Sequence, residues 1–214
     1  MPARPPVVVE GALAGHHLAR LRDVGTSPDG FRRAAHALST LVLATALAEL
    51  ETRHGTVTTP LAEARTTEPA RRVTVVPILR AGLVMLQPAL ELLPENTRVG
   101  FLGMARDERT AQARAYLDSL PSGLEDDEVV MLDVMVATGG SSVAALRSVR
   151  EAGAKRLHMV GLIAAPEGLA VVAEADPEVP VTVAVIDDHL NDRAFIVPGL
   201  GDAGDRLYAE PGGR

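Results

Sequence analysis

The stretch that most constrains this chain is Val129–Ser142, VVMLDVMVATGGSS. It opens on consecutive apolar residues, Val129, Val130, Met131 and Leu132. A run without polar alternation reads as a strand buried on both faces, and such a strand needs helices above and below it. Asp133 falls at the strand's end. A short loop then closes on Thr138, Gly139, Gly140 and Ser141, and an apolar-periodic helix follows. In this strand–loop–helix unit, backbone amides and the positive end of the helix dipole converge on one point suited to an anion. Glycine lets the backbone approach closely, and the hydroxyls of Thr138, Ser141 and Ser142 add donors. Spacing alone leaves two readings open, a phosphate cradle or an ordinary strand-to-helix turn with a Ser/Thr cap. The stretch matches neither the dinucleotide pattern G-x-G-x-x-G nor the nucleotide pattern G-x-x-x-x-G-K-[ST].

Similar units surround it. Val73–Leu79 (VTVVPIL), Val99–Met104, Leu157–Ala164 and Val181–Ile186 read as strands, and Leu83–Leu93, Ser142–Ala152 and Glu167–Ala175 as helices. Alternation of this kind predicts an α/β fold in a single domain, a mostly parallel twisted sheet flanked by helices with right-handed crossovers. Residues 72–214 form its core and 1–71 an N-terminal helical extension. Ligands of such sheets bind beyond the C-terminal strand ends. Arg80, Arg106 and Asp133 all fall there, so they can face one crevice. Ahead of the core, residues 1–9 are proline-rich and extended, and His16–Asp23 reads as a short helix or turn. Ser27 and Pro28 supply a cap and a first-turn proline. A long helix follows over Phe31–Leu50, ended by His54 and Gly55, with Phe31, Ala34, Ala35, Leu38, Leu41, Val42 and Ala46 in one apolar stripe. Residues 56–71 read as a loop or a β-excursion. Ala105–Gly123 is charged and too long for a tight connection, the pattern of a mobile functional loop.

Composition removes several classes. Apolar residues make up 47% but aromatics only 2%, so the core must be built of Val, Leu, Ala and Ile. The net charge of −7 argues against a general nucleic-acid or anionic-membrane partner. The absence of cysteine excludes disulfides, thiolate metal sites and a cysteine nucleophile. The N-terminus is too short in apolar residues for a signal peptide, and no run approaches the ~18 residues of a membrane span. A cytoplasmic location is expected. Asp187, Asp188 and His189 are adjacent, but loop neighbours without a third partner do not make ligand geometry, so no protein metal cage is expected.

Four stretches occur in order: VVPILRAGL (Val75–Leu83), GMARDERT (Gly103–Thr110), LDVMVATGGSS (Leu132–Ser142) and FIVPGLGDAGD (Phe195–Asp205). With AAPEGL (Ala164–Leu169), they resemble the uracil phosphoribosyltransferases. PILRAGL, ATGGS and PGLGDAGD in that order are specific to this family; other phosphoribosyltransferases share the ATGGS region. The resemblance implies a type I phosphoribosyltransferase-like fold and a reaction, uracil with 5-phosphoribosyl-1-diphosphate (PRPP) giving UMP and diphosphate in pyrimidine salvage, with Mg2+ carried by PRPP. It implies that Asp133, Val134, Met135, Val136, Ala137, Thr138, Gly139, Gly140 and Ser141 hold the ribose 5-phosphate half of PRPP, with Asp133 on the ribose hydroxyls. Arg80 and Arg106 match the diphosphate-contacting arginines, where a planar charged fork suits a leaving group rich in oxygen. Ile196, Gly201, Asp202 and Ala203 are implied to read uracil through the backbone, with Asp202 also facing PRPP. Asp133, Arg106 and Asp202 are the implied catalytic residues. Family members are homo-oligomers, dimers or larger.

The chain also departs from the family pattern. Ala105 stands for a tyrosine before the second arginine, Ser119 for a lysine, Val134 for a proline and Val84 for a glycine. A charged segment of the long helix is here the apolar Leu43–Leu50. The substitutions cluster in the loop and the N-terminal half, which keeps open a second outcome, a non-catalytic or weakly active UMP- or PRPP-binding paralogue with a regulatory role.

Overall fold

The computed structural model describes residues 3–106 and 113–208, with the backbone alone at 105–106 and 113–115. The N-terminal part runs β1 (Val7–Val8), α1 (Ala12–Arg22), α2 (Pro28–Ala46), then a hairpin of β2 (Thr52–Thr58) and β3 (Glu63–Pro69). Next come β4 (Val73–Leu79), a 3-10 turn (Ala81–Met85), α3 (Leu86–Leu92), β5 (Arg98–Val99), β6 (Phe101–Arg106) and β7 (Ala113–Ser119). The chain ends with β8 (Glu128–Val136), α4 (Gly140–Glu151), β9 (Arg156–Ala164), α5 (Pro166–Ala175), β10 (Val181–Ile186), β11 (His189–Leu190), β12 (Ile196–Val197) and α6 (Ala203–Tyr208).

The main sheet has the order β1-β10-β9-β8-β4-β6-β7, with β5 also on β4. All of its pairings are parallel except β6 with the edge strand β7. The expected mostly parallel sheet is therefore present. The apolar runs do not face one way. In β8, Val130, Leu132 and Val134 join one core cluster, whereas Val129, Met131 and Val136 join another. The first cluster is closed by α1, α2, α3 and α6, the second by α4 and α5. Strands buried on both faces lie between two helical layers, which is why their sequences lack polar alternation. Phe31 on α2 is 1% exposed, and burying a side chain of that size contributes about 2 kcal/mol.

Helix α2 starts as its sequence dictates. The Ser27 hydroxyl accepts from the Gly30 amide at 3.2 Å, and Pro28 occupies the first turn. It ends four residues earlier than the apolar pattern indicates, at Ala46 rather than Leu50. His54 and Gly55 do not end it. They lie inside β2, Gly55 opposite Thr66. The Glu51 carbonyl already accepts from the Ala70 amide at 2.7 Å, so hairpin pairing has begun by residue 51 and the helix must stop before it. The ambiguous segment 56–71 is thus the second half of an exposed hairpin. The expected loop over Ala105–Gly123 is in part a strand, since Ala113–Ser119 returns as β7. Within that expectation, residues 107–112 lie outside the described residues.

Candidate functional site

β8 carries Asp133 inside the strand rather than at its end, because β8 continues to Val136. The side chains of Val134 and Val136 are buried in the two core clusters, so only their backbone is left for a ligand. Met135 and Ala137 are half-buried, packed against the first cluster. The cradle proper is Ala137–Gly139, followed directly by α4 at Gly140. Gly139 has φ of +78°, and a Cβ there would stand 2.7 Å from the Gly168 carbonyl of α5, so the turn is specific to glycine. The first amides of a helix lack intrahelical partners. Those of Gly140 and Ser141 therefore open toward the loop, with the Thr138 side chain half-buried and Ser141 exposed.

Ser142 differs from its expected role. Its side chain is buried, and its hydroxyl donates to Asp133 Oδ2 at 2.7 Å rather than standing toward solvent. The Met135 amide donates to Asp133 Oδ1 at 3.4 Å. Asp133 is 9% exposed, and burial pushes its carboxyl up to about 6, against the pull of these two donors. A carboxylate at the brink of protonation near neutral pH, aimed from a strand beside a helix N-terminus, is a strong acceptor for paired hydroxyls.

Arg80 follows β4 immediately and is exposed; the Leu79–Arg80 peptide is cis. The turn after it lies tight on β8, because a Cβ at Gly82 would stand 2.5 Å from the Leu132 carbonyl. The Arg80 turn and Asp133 are thereby fixed side by side. On the other flank, the Tyr208 hydroxyl of α6 donates to the Arg80 carbonyl at 3.4 Å. A methyl added at Gly204 would stand 3.2 Å from Asp202 Oδ1 and 3.9 Å from Arg80 Nη2. Arg80 and Asp202 thus flank one point. Arg106 is the last residue of β6, two strands from β8, and its side chain lies outside the described residues.

The tail divides into inner and outer residues. Ile196 is buried in β12, paired with Leu190, and Ala203 is buried at the start of α6. Gly201, with φ of +78°, and Asp202 are exposed. Asp202 Oδ1 accepts from the Asp205 amide at 3.0 Å, which caps α6. Asp187, weighed from the sequence only beside Asp188 and His189, has another partner in the fold. It is 5% exposed and bound to Arg22 from α1. No local signal reveals a pair 165 positions apart; the Ser142–Asp133 bond, nine apart, follows from their common side of one strand–helix unit.

Oxygen donors of the Asp133 and Asp202 kind suit Mg2+, which takes one or two carboxylates along with substrate phosphates. Among the described residues, no group of three or more His, Asp or Glu side chains is arranged as a metal cage. Grooves of about 480 and 530 Å3 lie along the hairpin, lined by groups such as Arg53, Glu68 and Arg71 in one and His54 and Thr66 in the other. Neither is lined by Arg80, Asp133 or Asp202.

The uracil phosphoribosyltransferase family model matches residues 8–209. A relative named uracil phosphoribosyltransferase from Roseiflexus castenholzii is 47% identical over 196 residues, 92% of this chain and 94% of that one. The protein of the same name from Thermus thermophilus is 43% identical, over 94% and 97% of the two chains. A solved structure from Aquifex aeolicus superposes with a TM-score of 0.90 at 38% identity, over 96% and 98%. A hypoxanthine-guanine phosphoribosyltransferase from Bacillus anthracis shares the fold, with a TM-score of 0.52 at 10% identity over 75% and 80%. With a strand–cradle–helix unit, an arginine turn and a glycine-rich tail at one end of its sheet, and with relatives of this identity over nearly its whole length, the chain belongs to the uracil phosphoribosyltransferase family.

Proposed function

We propose that this protein joins uracil to the ribosyl carbon of PRPP by the following division of labour. The amides of Ala137–Ser141 and the Thr138 hydroxyl hold the 5-phosphate, where the α4 dipole favours negative charge. The Asp133 carboxylate accepts the ribose 2- and 3-hydroxyls. Arg80 and Arg106 hold the diphosphate. The backbone of Gly201–Ala203, with Ile196 behind it, reads the base. The N1–C1 bond forms as the bond from C1 to the diphosphate oxygen breaks, the electron pair leaves with diphosphate, and the N1 proton is lost to solvent. Positive charge grows at C1 on the way, so holding the two reactants in line and stabilising the departing oxygens lowers the barrier. Mg2+, when bound with PRPP, neutralises diphosphate charge, and Asp202 is the exposed carboxylate suited to hold it, directly or through water.

One observation carries this reading: the α4 N-terminus with Asp133, and Arg80 with Asp202, meet at the same end of one sheet. The family relationship supports the substrates. The regulatory, non-catalytic alternative has no support from the family relationship, whose relatives carry the name of the enzyme. A homo-oligomer in the cytoplasm is part of the same reading. It is supported by exposed apolar side chains such as Val57 and Leu61 on the projecting hairpin, while no described helix is long and apolar enough to cross a membrane. Incubation with uracil, PRPP and Mg2+ is expected to release UMP and diphosphate in equal amounts. Folded protein that forms no UMP beside an active control overturns the reading, and sedimentation tests the oligomer separately.

A further inference from the structure

We infer that Arg22 and Asp187 are positioning residues for the base, acting through the backbone of Gly199; this rests on reading Gly201–Ala203 as the uracil site. Asp187 directly follows β10 and is 5% exposed. Its Oδ2 accepts from Arg22 Nη1 at 3.0 Å and its Oδ1 from Arg22 Nη2 at 2.5 Å, a planar fork on a carboxylate. The same Oδ2 accepts from the Gly199 amide at 2.7 Å, and Arg22 Nη1 also donates to the Gly199 carbonyl at 3.1 Å. Both polar groups of residue 199 are therefore gripped by one ion pair. Gly199 sits at φ of +65°, two residues before exposed Gly201.

A second cation acts on the same loop. Arg206 of α6 donates to the Leu200 carbonyl at 2.9 Å and to the Asp23 carbonyl at 2.7 Å, also reaches the Leu21 carbonyl, and lies over the Phe31 ring at 4.4 Å. The C-terminal end of α1 is thus tied to the inner side of the tail by two arginines, and the outer side is left to present Gly201 and Asp202. A backbone that reads a flat base by hydrogen bonds loses selectivity when its amides shift by a fraction of an ångström. The ion pair supplies that constraint from a helix far away in sequence, without touching the base.

Asp133 and the α4 cradle make no hydrogen bond to this pair among the described residues. The role therefore separates the two substrates. Arg22→Lys keeps the charge but loses the fork and the bond to the Gly199 carbonyl. It is expected to raise the KM for uracil at least fivefold while leaving the KM for PRPP within twofold. The double variant Arg22→Met with Asp187→Asn leaves no buried unpaired charge, and it carries the measurement if the single variant fails to fold. Its KM for uracil is expected to rise at least tenfold, with the same selectivity. Equal rises in both KM values, or a lower melting temperature with both KM values unchanged, overturn the inference while the wild type still makes UMP. A wild type that forms no UMP instead removes the reading of the base site, and the positioning role with it.

Discussion

Asp133 illustrates how one buried side chain sets stability and activity in opposition. Its folded value of about 6 exceeds the ~3.9 of a free aspartate, so the folded protein takes up a proton more readily than the unfolded chain. Stability therefore gains as pH falls from 6 toward 4, and above pH 6 the ionised carboxylate costs about 3 kcal/mol. Asp133→Asn removes that cost and keeps an acceptor for the Ser142 hydroxyl. At pH 8 the variant is expected to melt at or above the wild-type temperature, with the gap closing toward pH 4, while kcat falls by about 100-fold for want of a charged acceptor. Unchanged turnover would show that Asp133 does not meet the ribose. Ser142→Ala removes a bond that favours the ionised form, so the carboxyl rises further. The acid limb of kcat/KM is expected to move to higher pH by roughly half a unit or more, measured against the wild-type profile in the same buffers.

At the scale of elements, what was legible follows from what each segment buries. β4, β8, β9 and β10 are covered on both faces, so their apolar runs mark them plainly, and β4 and β10 have the bounds that the sequence indicates. The hairpin is different. All seven residues of β2 are exposed, so no burial pattern betrays it; it is held by pairing of Thr52–Thr58 with Glu63–Pro69. β7 is an edge strand whose exposed Tyr116, Leu117 and Asp118 mix apolar and charged groups, and so read as a loop. The cradle was legible because its glycines have local duties, whereas the Arg22–Asp187 pair depends on α1 meeting β10, which only the assembled sheet decides. Gly139 tests the cradle as a unit. Gly139→Ala puts a Cβ against α5 and forces a left-handed conformation on a residue that resists it. The KM for PRPP is expected to rise about tenfold, equivalent to about 1.4 kcal/mol of binding, while the KM for uracil changes little. An equal change in both would place Gly139 outside the phosphate site.

Over the whole molecule, the parallel strands put all the proposed chemistry at one pole and leave the other free for stability. At that opposite pole Asp127 is 1% exposed just before β8. It accepts from Arg72 Nε and Arg98 Nε at 3.1 Å each and from the Thr74 hydroxyl at 2.5 Å. Arg98 Nη1 goes on to the Ser122 carbonyl at 2.6 Å. The clamp gathers the starts of β4, β5 and β8. Burial works to raise the Asp127 carboxyl, but the Thr74 and Arg98 hydrogen bonds outweigh it and hold it below the usual carboxylate range. Its stabilisation is therefore fully present above the unfolded value of about 3.9 and is lost as pH falls through the lower folded value. Removing one partner of a buried ion pair typically costs about 3 kcal/mol, or roughly 10 °C in a chain of this size. Asp127→Ala is expected to show that loss at pH 7, with the gap to the wild type closing only below about pH 3.9. Six residues along a strand, at about 3.3 Å each, separate Asp127 from Asp133 by about 20 Å. Both KM values, measured well below the lowered melting temperature, are accordingly expected to stay within twofold of the wild type. A selective rise in either KM would mean that the two poles of the sheet are coupled, and that the strands between them transmit more than support.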